Sequence, residues 1–453
     1  MRNEKCRTVC YSRRSDGKSS RRTKKKQAFL FSLLPPASCM IIGILTYHYV
    51  CNFGATLQAL STVFYLKNRG HNPIIIDWRP AETENRLHNQ TPPAQITAHL
   101  ELTARYLPVS TLCRTSEDIA TVIQREGIQG VIVGSDAVVN IRPQMGRTSF
   151  SFKKLRLVTS QPECVNVVPN PFWGSFLSHL QSPIPCVMMS VSSQNARFHR
   201  ISPAERQEAA ACLLRFCHVS VRDDWTRQMM SWISKGACTP EITPDPVFAF
   251  NQNVPIALSD RSAIKRFQLP DKYILISFKK ANCVPSTWVD QFATLAKSKG
   301  YECVALPYPQ EMNAFSLRRR VEAPLNPLEW YSIIKHSSGY VGHNMHPIVS
   351  CIHNNVPFYS FDNYGYLYLR LFSNKNSSKI HALLGDLDLL DYTSNVVGRL
   401  TSFTPPDIVW HKLASFDRAK CAKAAAHMSS RYVAMMNKIE TILSLPAASL
   451  ARF

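Results

Sequence analysis

Residues 40–47, MIIGILTY, form an unbroken apolar run. A polar turn, HYVCNFG, follows, then the helix-period stretch ATLQALSTVFYLKNRG and a second apolar run, NPIIIDW. A strand that is apolar on both faces must be covered on both, and that is the environment of a parallel sheet flanked by helices. Strand, helix and strand within about 40 residues make a βαβ unit, whose crossover is right-handed. Leu57, Leu60, Phe64 and Leu66 fall roughly on one helical face, and Gly70 supplies the stop. This unit restricts the chain to an α/β architecture.

The same alternation recurs. VIVG (131–134) and PCVMMSVSS (185–193) read as further buried strands. SPAERQEAAACLLRF reads as a helix, HVSVRD as a strand and DWTRQMMSWISKG as a helix, before the segment EITPDPVFAF. Residues 250–272 are polar, proline-bearing and poorly periodic, and the domain join is expected there. A second series follows, in which DKYILISF, YECVALPY, GYVGH and VPFYSF are strands and STWVDQFATLAKSKG, NPLEWYSIIKHS and MHPIVSCIHNN are helices. At 453 residues the chain is about three times the usual domain length of roughly 150. The expected fold is therefore α/β, with two Rossmann-like domains facing a central cleft. An N-terminal domain spans 40–253, a C-terminal domain 254–430, and a terminal helix or tail 431–453. In such sheets ligands sit beyond the carboxyl ends of the strands.

The net charge of +22 is unevenly placed: residues 1–27 hold eleven Lys and Arg against Glu4 and Asp16, and so carry +9 of it. A head this basic and this poor in apolar residues buries no core, so 1–39 is read as a disordered basic extension. Met40 is the natural first residue on one reading. On the other, the extension is a tail that touches anionic lipid or nucleic acid. No run approaches 18 apolar residues. The fourteen cysteines contain no C-x-x-C pair, and Cys212 and Cys217 lie in the apolar run AACLLRFC. Free cysteines in a reducing, cytoplasmic setting are expected, with no metal. G-x-G-x-x-G, G-x-x-x-x-G-K-[ST] and H-E-x-x-H are all lacking from the sequence.

Several strand-end segments together resemble the polysaccharide pyruvyl transferase family. The opening, with its N-F-G-A-T-L-Q-A turn, is similar to the family's first strand and helix. VIVGSDAVVN, SVRDDWTRQMM, EITPDPVF and VGHNMHPIVSCIHNNVPFYSF resemble later family segments in the family's order, over residues 40–390. Ala137 and Val139 stand where the family has Gln and Trp, and Asn344-Met345-His346-Pro347 stands where it has Ser-Phe-His-Gly. The resemblance implies a glycosyltransferase-B-like architecture. It also implies transfer of pyruvate from phosphoenolpyruvate to two hydroxyls of a sugar, giving a ketal and releasing phosphate. The implied acceptor is a cell-envelope or exopolysaccharide precursor, often lipid-linked, met on the cytoplasmic side with peripheral contact to anionic membrane. No cofactor beyond the donor and no nucleic acid is implied. Two alternatives stand beside it: a family member that binds without turnover, and a sugar-nucleotide glycosyltransferase of the same shape.

On this reading Arg222, after the strand HVSV, is a bidentate clamp for the donor's carboxylate or phosphate, or else a surface ion-pair partner of Asp223 or Asp224. His346, at the start of the helix MHPIVSC, is a general acid or phosphate donor, and His343 and Asn344 are further donor contacts. Asp136 in GSD serves the acceptor or acts as a base. Asn52 and Gly54 hold the acceptor, Gly54 by allowing a close backbone approach. Lys279, with Lys280, follows YILISF and meets phosphate. Arg318, Arg319 and Arg320 read as a solvated patch.

Overall fold

The computed structural model describes residues 39–151, 156–194, 196–254, 261–278, 284–310, 317–363, 365–368, 372–374, 377–396 and 403–446. Met40 leads directly into the strand Ile41–Leu45. The basic extension, apart from Cys39, lies outside the described residues, as do Lys279 and Lys280.

Two all-parallel sheets carry the fold. The first runs, from edge to edge, Val109–Cys113, Asn72–Trp78, Ile41–Leu45, Gly130–Asp136, Cys186–Val191, His218–Val221 and Glu241–Ile242. The second runs Arg319–Arg320, Glu302–Ala305, Tyr273–Ser277, Gly339–Gly342, Phe358–Asp362 and Thr393–Asn395. In each sheet the order reverses beside its first strand: Ile41–Leu45 pairs with Asn72–Trp78 on one side and Gly130–Asp136 on the other. Tyr273–Ser277 likewise pairs with Glu302–Ala305 and with Gly339–Gly342. Helices that leave on opposite sides of such a reversal open a crevice at the strands' carboxyl ends. Thr393–Asn395 extends the second series one strand beyond the VPFYSF strand that the sequence makes its last.

Helix ends follow local chemistry. Asn52 Oδ1 accepts from the amides of Gly54 and Ala55 and opens Phe53–Asn68. Ser202 with Glu205 and Asn326 with Glu329 form reciprocal caps on Pro203–Leu213 and Pro327–Lys335. The single apolar face expected for Phe53–Asn68 is too narrow a description, because the helix is buried almost all round. Its ends and sides meet both halves of the chain: Phe53 stacks on Trp330 at 5.3 Å, and Leu57 and Leu60 share one core with Tyr331, Ile348 and Val349.

The expected boundary at 430/431 falls inside one continuous helix, Arg418–Leu443. This helix starts against the second sheet's half and ends on the first sheet's half. There Glu440 pairs with Arg69, Lys438 with Glu241, and Met435 lies against the Ser190 hydroxyl. Its buried face, from Cys421 through Met428 and Met435 to Leu443, runs the length of the helix within one core that both sheets share, so the helix does not stop where a domain count would end it. No helix among the described residues is long and apolar enough to cross a membrane.

Candidate functional site

The two reversal points face one cavity of about 350 Å³. The first sheet contributes Asn52, Gly54 and Asp136 to its lining, and the second contributes Ser277, Asn344, His346 and Lys379. Three helices begin at its wall: Phe53–Asn68, Met345–His353 and Lys379–Asp386. Each presents the positive end of its dipole; Asn52 and Ser378 cap the first-turn amides of two of them, and Met345–His353 has no side-chain cap. Gln310 Nε2 donates to the Cys51 carbonyl at 2.8 Å, tying the second half to the turn that carries Asn52.

Behind the cavity lies a buried charge cluster. Asp245 is 1% exposed and accepts from Arg222 Nη1 at 2.7 Å, Gln58 Nε2 at 2.6 Å and the Val247 amide at 2.9 Å. Burial opposes the Asp245 charge, but Arg222, with the Val247 amide and Gln58, outweighs it and holds the carboxyl below its usual range. Burial likewise opposes the Arg222 charge, and Asp245, Asp136 and Asp223 more than restore it. The Arg222 side chain is 2% exposed, its Nη2 stands 3.8 Å from Asp136 Oδ1, and Nε and Nη2 have no hydrogen-bond partner. A buried donor left so costs about 1–3 kcal/mol.

His346 Nε2 lies 4.0 Å from Asp245 Oδ2, too far for a hydrogen bond, and is itself without a partner. Burial brings its pKa down to about 4, against the pull of Asp245 and Asp136. The ring is therefore neutral at pH 7 in the ligand-free protein and can donate or accept a hydrogen bond. Gly54 makes room for that ring: a Cβ built on Gly54 falls onto Cγ, Nδ1 and Cδ2 of His346. The small residue expected to admit a ligand admits the imidazole.

Asp136 reaches the cavity on a backbone with φ +92°, a left-handed conformation uncommon outside glycine, and its Oδ1 accepts from the Ala137 amide. Backbone strain of this kind clusters at functional positions.

Arg222 does not line the cavity. It stands behind Asp136 and lines a neighbouring chamber of about 380 Å³, and its ion pair is with Asp245, not with Asp223 or Asp224. Asp223 caps the helix Asp224–Ile233 through Thr226, and Asp224 pairs with Arg227. His343 is placed elsewhere too, 2% exposed and stacked between Phe278 and Tyr308 at 5.9 and 6.0 Å. Arg319 and Arg320 pair with Glu302 and Glu322, and Arg318 is exposed.

Two central residues were not read from the sequence. Asp245 sits in the segment EITPDPVF, whose resemblance was noted without singling out the carboxylate. Lys379 opens the helix KIHALLGD, which Ser378 caps, and the Ser-Ser-Lys before an apolar period was the available signal. Burial and the nearby Arg222 charge lower the Lys379 pKa to about 8, against Asp136, Asp223 and Asp245. Among the described residues no group of three His, Cys, Asp or Glu side chains could hold a metal ion.

A family model described as polysaccharide pyruvyl transferase matches residues 52–365, which include the first helix, Asp136, Arg222, Asp245 and His346. No curated protein sequence matches the chain. Among solved structures, a UDP-N-acetylglucosamine 2-epimerase from Rickettsia bellii superposes with a TM-score of 0.51 at 9% identity, covering 91% of this chain and 98% of that one. A UDP-GlcNAc 2-epimerase from Neisseria meningitidis, bound to UDP-GlcNAc, gives 0.49 at 10% identity, covering 88% and 100%. A ugt transferase from Siraitia grosvenorii, in complex with UDP, gives 0.47 at 10%, covering 90% and 100%. The likeness to the Rickettsia bellii structure is one of fold, the two-lobed glycosyltransferase-B-like arrangement.

Proposed function

The chain belongs to the polysaccharide pyruvyl transferase family, and from that premise we propose that it transfers pyruvate from phosphoenolpyruvate to two hydroxyls of a sugar in a cell-envelope or exopolysaccharide precursor. The observation that carries the donor assignment is the convergence of three helix N-termini and Lys379 on one small cavity at both reversal points. Amide donors, dipole ends and an ammonium suit a compact, multiply charged anion.

On this reading the phosphate and carboxylate of the donor lie among the helix starts. Lys379 brings a proton to the methylene carbon, and positive charge then develops at the central carbon. The first sugar hydroxyl adds there, giving up its proton to Asp136. The carbon–oxygen bond to phosphate breaks, and the second hydroxyl closes the ketal. Of the two hydroxyl protons, one replaces that drawn from Lys379 and the other leaves with hydrogen phosphate. Neutral His346 donates its N–H to the departing phosphate oxygen, whose charge favours the imidazolium form as it grows. Asp136 and Asp245 supply the negative field that positive charge at the central carbon requires. The acceptor is taken to be lipid-linked and met at the cytoplasmic face of an anionic membrane.

Calorimetric titration with phosphoenolpyruvate, followed by phosphate release in the presence of glycosides, tests this reading. Binding with release supports it, and His346→Ala should then lower turnover by roughly 10²–10⁴ with the fold intact. Binding without release by any acceptor identifies a family member that has lost turnover. Failure to bind the donor at all refutes the assignment.

A further inference from the structure

We infer that His48 is a positioning residue for the transfer reaction: it pins the turn after the first strand to the second strand and, through Thr46, fixes where Asp136 stands. This inference rests on the transferase reading above, in which Asp136 takes a proton from the sugar hydroxyl. Residues 46–52 leave the strand Ile41–Leu45 with no helix or strand of their own and carry Cys51 and Asn52 to the cavity wall. Such a turn has no ladder of backbone bonds, so side chains must hold it. His48, in its middle, is buried, with Nε2 2.8 Å from Asp77 Oδ1 and Nδ1 3.2 Å from the Thr46 carbonyl. Asp77 belongs to the strand Asn72–Trp78 and also accepts from Arg79. Burial opposes the Asp77 charge, and the hydrogen bonds from His48 and Arg79 outweigh it. A carboxylate and a carbonyl are both acceptors, so each ring nitrogen of His48 donates.

Thr46 continues the chain of bonds. While its carbonyl accepts from His48, its hydroxyl donates to the Ser135 carbonyl at 3.0 Å. From the opposite side the Ser192 amide donates to the Asp136 carbonyl at 2.8 Å, and Ser135 Oγ donates to the Ser190 carbonyl at 2.9 Å. The two peptide groups that flank Asp136 are thus gripped from the neighbouring strand ends, Thr46 on one side and Ser192 on the other. A left-handed backbone at a residue other than glycine persists when its surroundings over-determine it, and these bonds do so at Asp136. The Thr46 grip depends on His48, because a charge-assisted bond to Asp77 is what fixes the ring that holds the Thr46 carbonyl. A histidine that only stabilised the fold would change the number of folded sites and leave the turnover of each one normal.

The test compares Thr46→Val, which keeps the side chain's shape and removes its hydroxyl, with His48→Leu, which removes both ring donors, and His48→Gln, which returns one. Calorimetric titration with phosphoenolpyruvate counts the folded donor-binding sites and gives Kd. Phosphate release with 4-nitrophenyl hexosides then gives kcat per site. Thr46→Val and His48→Leu should each lower kcat per site by about tenfold or more, since Asp136 is displaced from the reacting hydroxyl. The Kd for phosphoenolpyruvate should stay within about threefold. His48→Gln should recover part of the loss. The double variant Thr46→Val/His48→Leu should be within about twofold of its slower parent, because one chain of bonds is broken only once. Normal kcat per site in Thr46→Val overturns the inference, and so do losses that multiply in the double variant. If His48→Leu does not fold, Thr46→Val and His48→Gln decide the matter by the same measurements. Failure of the wild type to bind donor, or to release phosphate with any glycoside, defeats the transferase reading itself and this inference with it.

Discussion

Replacing Gly54 by Ala adds one methyl group where the His346 ring already lies. The Cβ would come within 3.0 Å of three ring atoms, whereas ordinary contact is 3.4–4 Å. The imidazole must therefore withdraw by roughly 1 Å or more. Gly54 has no left-handed backbone to lose and sits in the first turn of a capped helix, so alanine is locally favourable and the clash carries the whole effect. Overpacking of this kind costs about 1–3 kcal/mol. A displacement of about 1 Å at a reacting group costs on the order of 10²-fold in turnover. Urea denaturation of Gly54→Ala, His346→Ala and the double variant measures the first quantity. The double variant should recover most of the stability that Gly54→Ala loses, because its ring is gone, giving a coupling of about 1–3 kcal/mol. Additive losses, or a Gly54→Ala protein with wild-type stability and turnover, would refute the steric account and return Gly54 to a ligand-facing role.

Arg222→Ala leaves Asp245 buried without its cation and should cost about 3–5 kcal/mol of stability. Among molecules that remain folded, phosphoenolpyruvate affinity should change by less than about tenfold, because Arg222 stands behind the cavity and does not line it. Denaturation and calorimetry separate the two, and an unchanged melting curve would show that the pair contributes nothing. Burial holds His99, His346 and His353 at a pKa of about 4, below the ordinary 6.5. Between pH 6.5 and 4 the unfolded imidazoles take up protons that the folded ones refuse, so stability present above 6.5 is lost as the pH falls. Each contributes up to about 1.4 kcal/mol per pH unit, and a flat denaturation profile between pH 7 and 4.5 would contradict this. Phosphoenolpyruvate binding should raise the Lys379 pKa from about 8. Titration at pH 9 in buffers of differing ionisation enthalpy should therefore report uptake of about 0.5–1 proton. Near-zero uptake by wild type, or undiminished uptake by Lys379→Met, places the donor elsewhere.

Unbroken apolar runs and the polar turns after them were enough to establish parallel sheets, their helices and the strand ends where a site belongs. Those patterns are local, and burial on both faces leaves its mark on each strand separately. Asn52, Asp136 and His346 were legible for the same reason, since each follows a strand that could be recognised on its own. Which of the strand-end residues face one another is not a local property. Asp245 and Lys379 meet Arg222 and His346 because the first helix is packed between the halves and the terminal helix returns to the first sheet, and these are long-range contacts with no sequence period. His343 and Arg222 show the converse: adjacency to a motif placed both near the site, and packing turned one between two aromatic rings and the other behind a carboxylate. The sequence alone settled the kind of sheet and the ends of its strands. Tertiary packing decided the charges at their meeting point, because desolvation and Coulomb forces depend on distances that the order of residues does not contain.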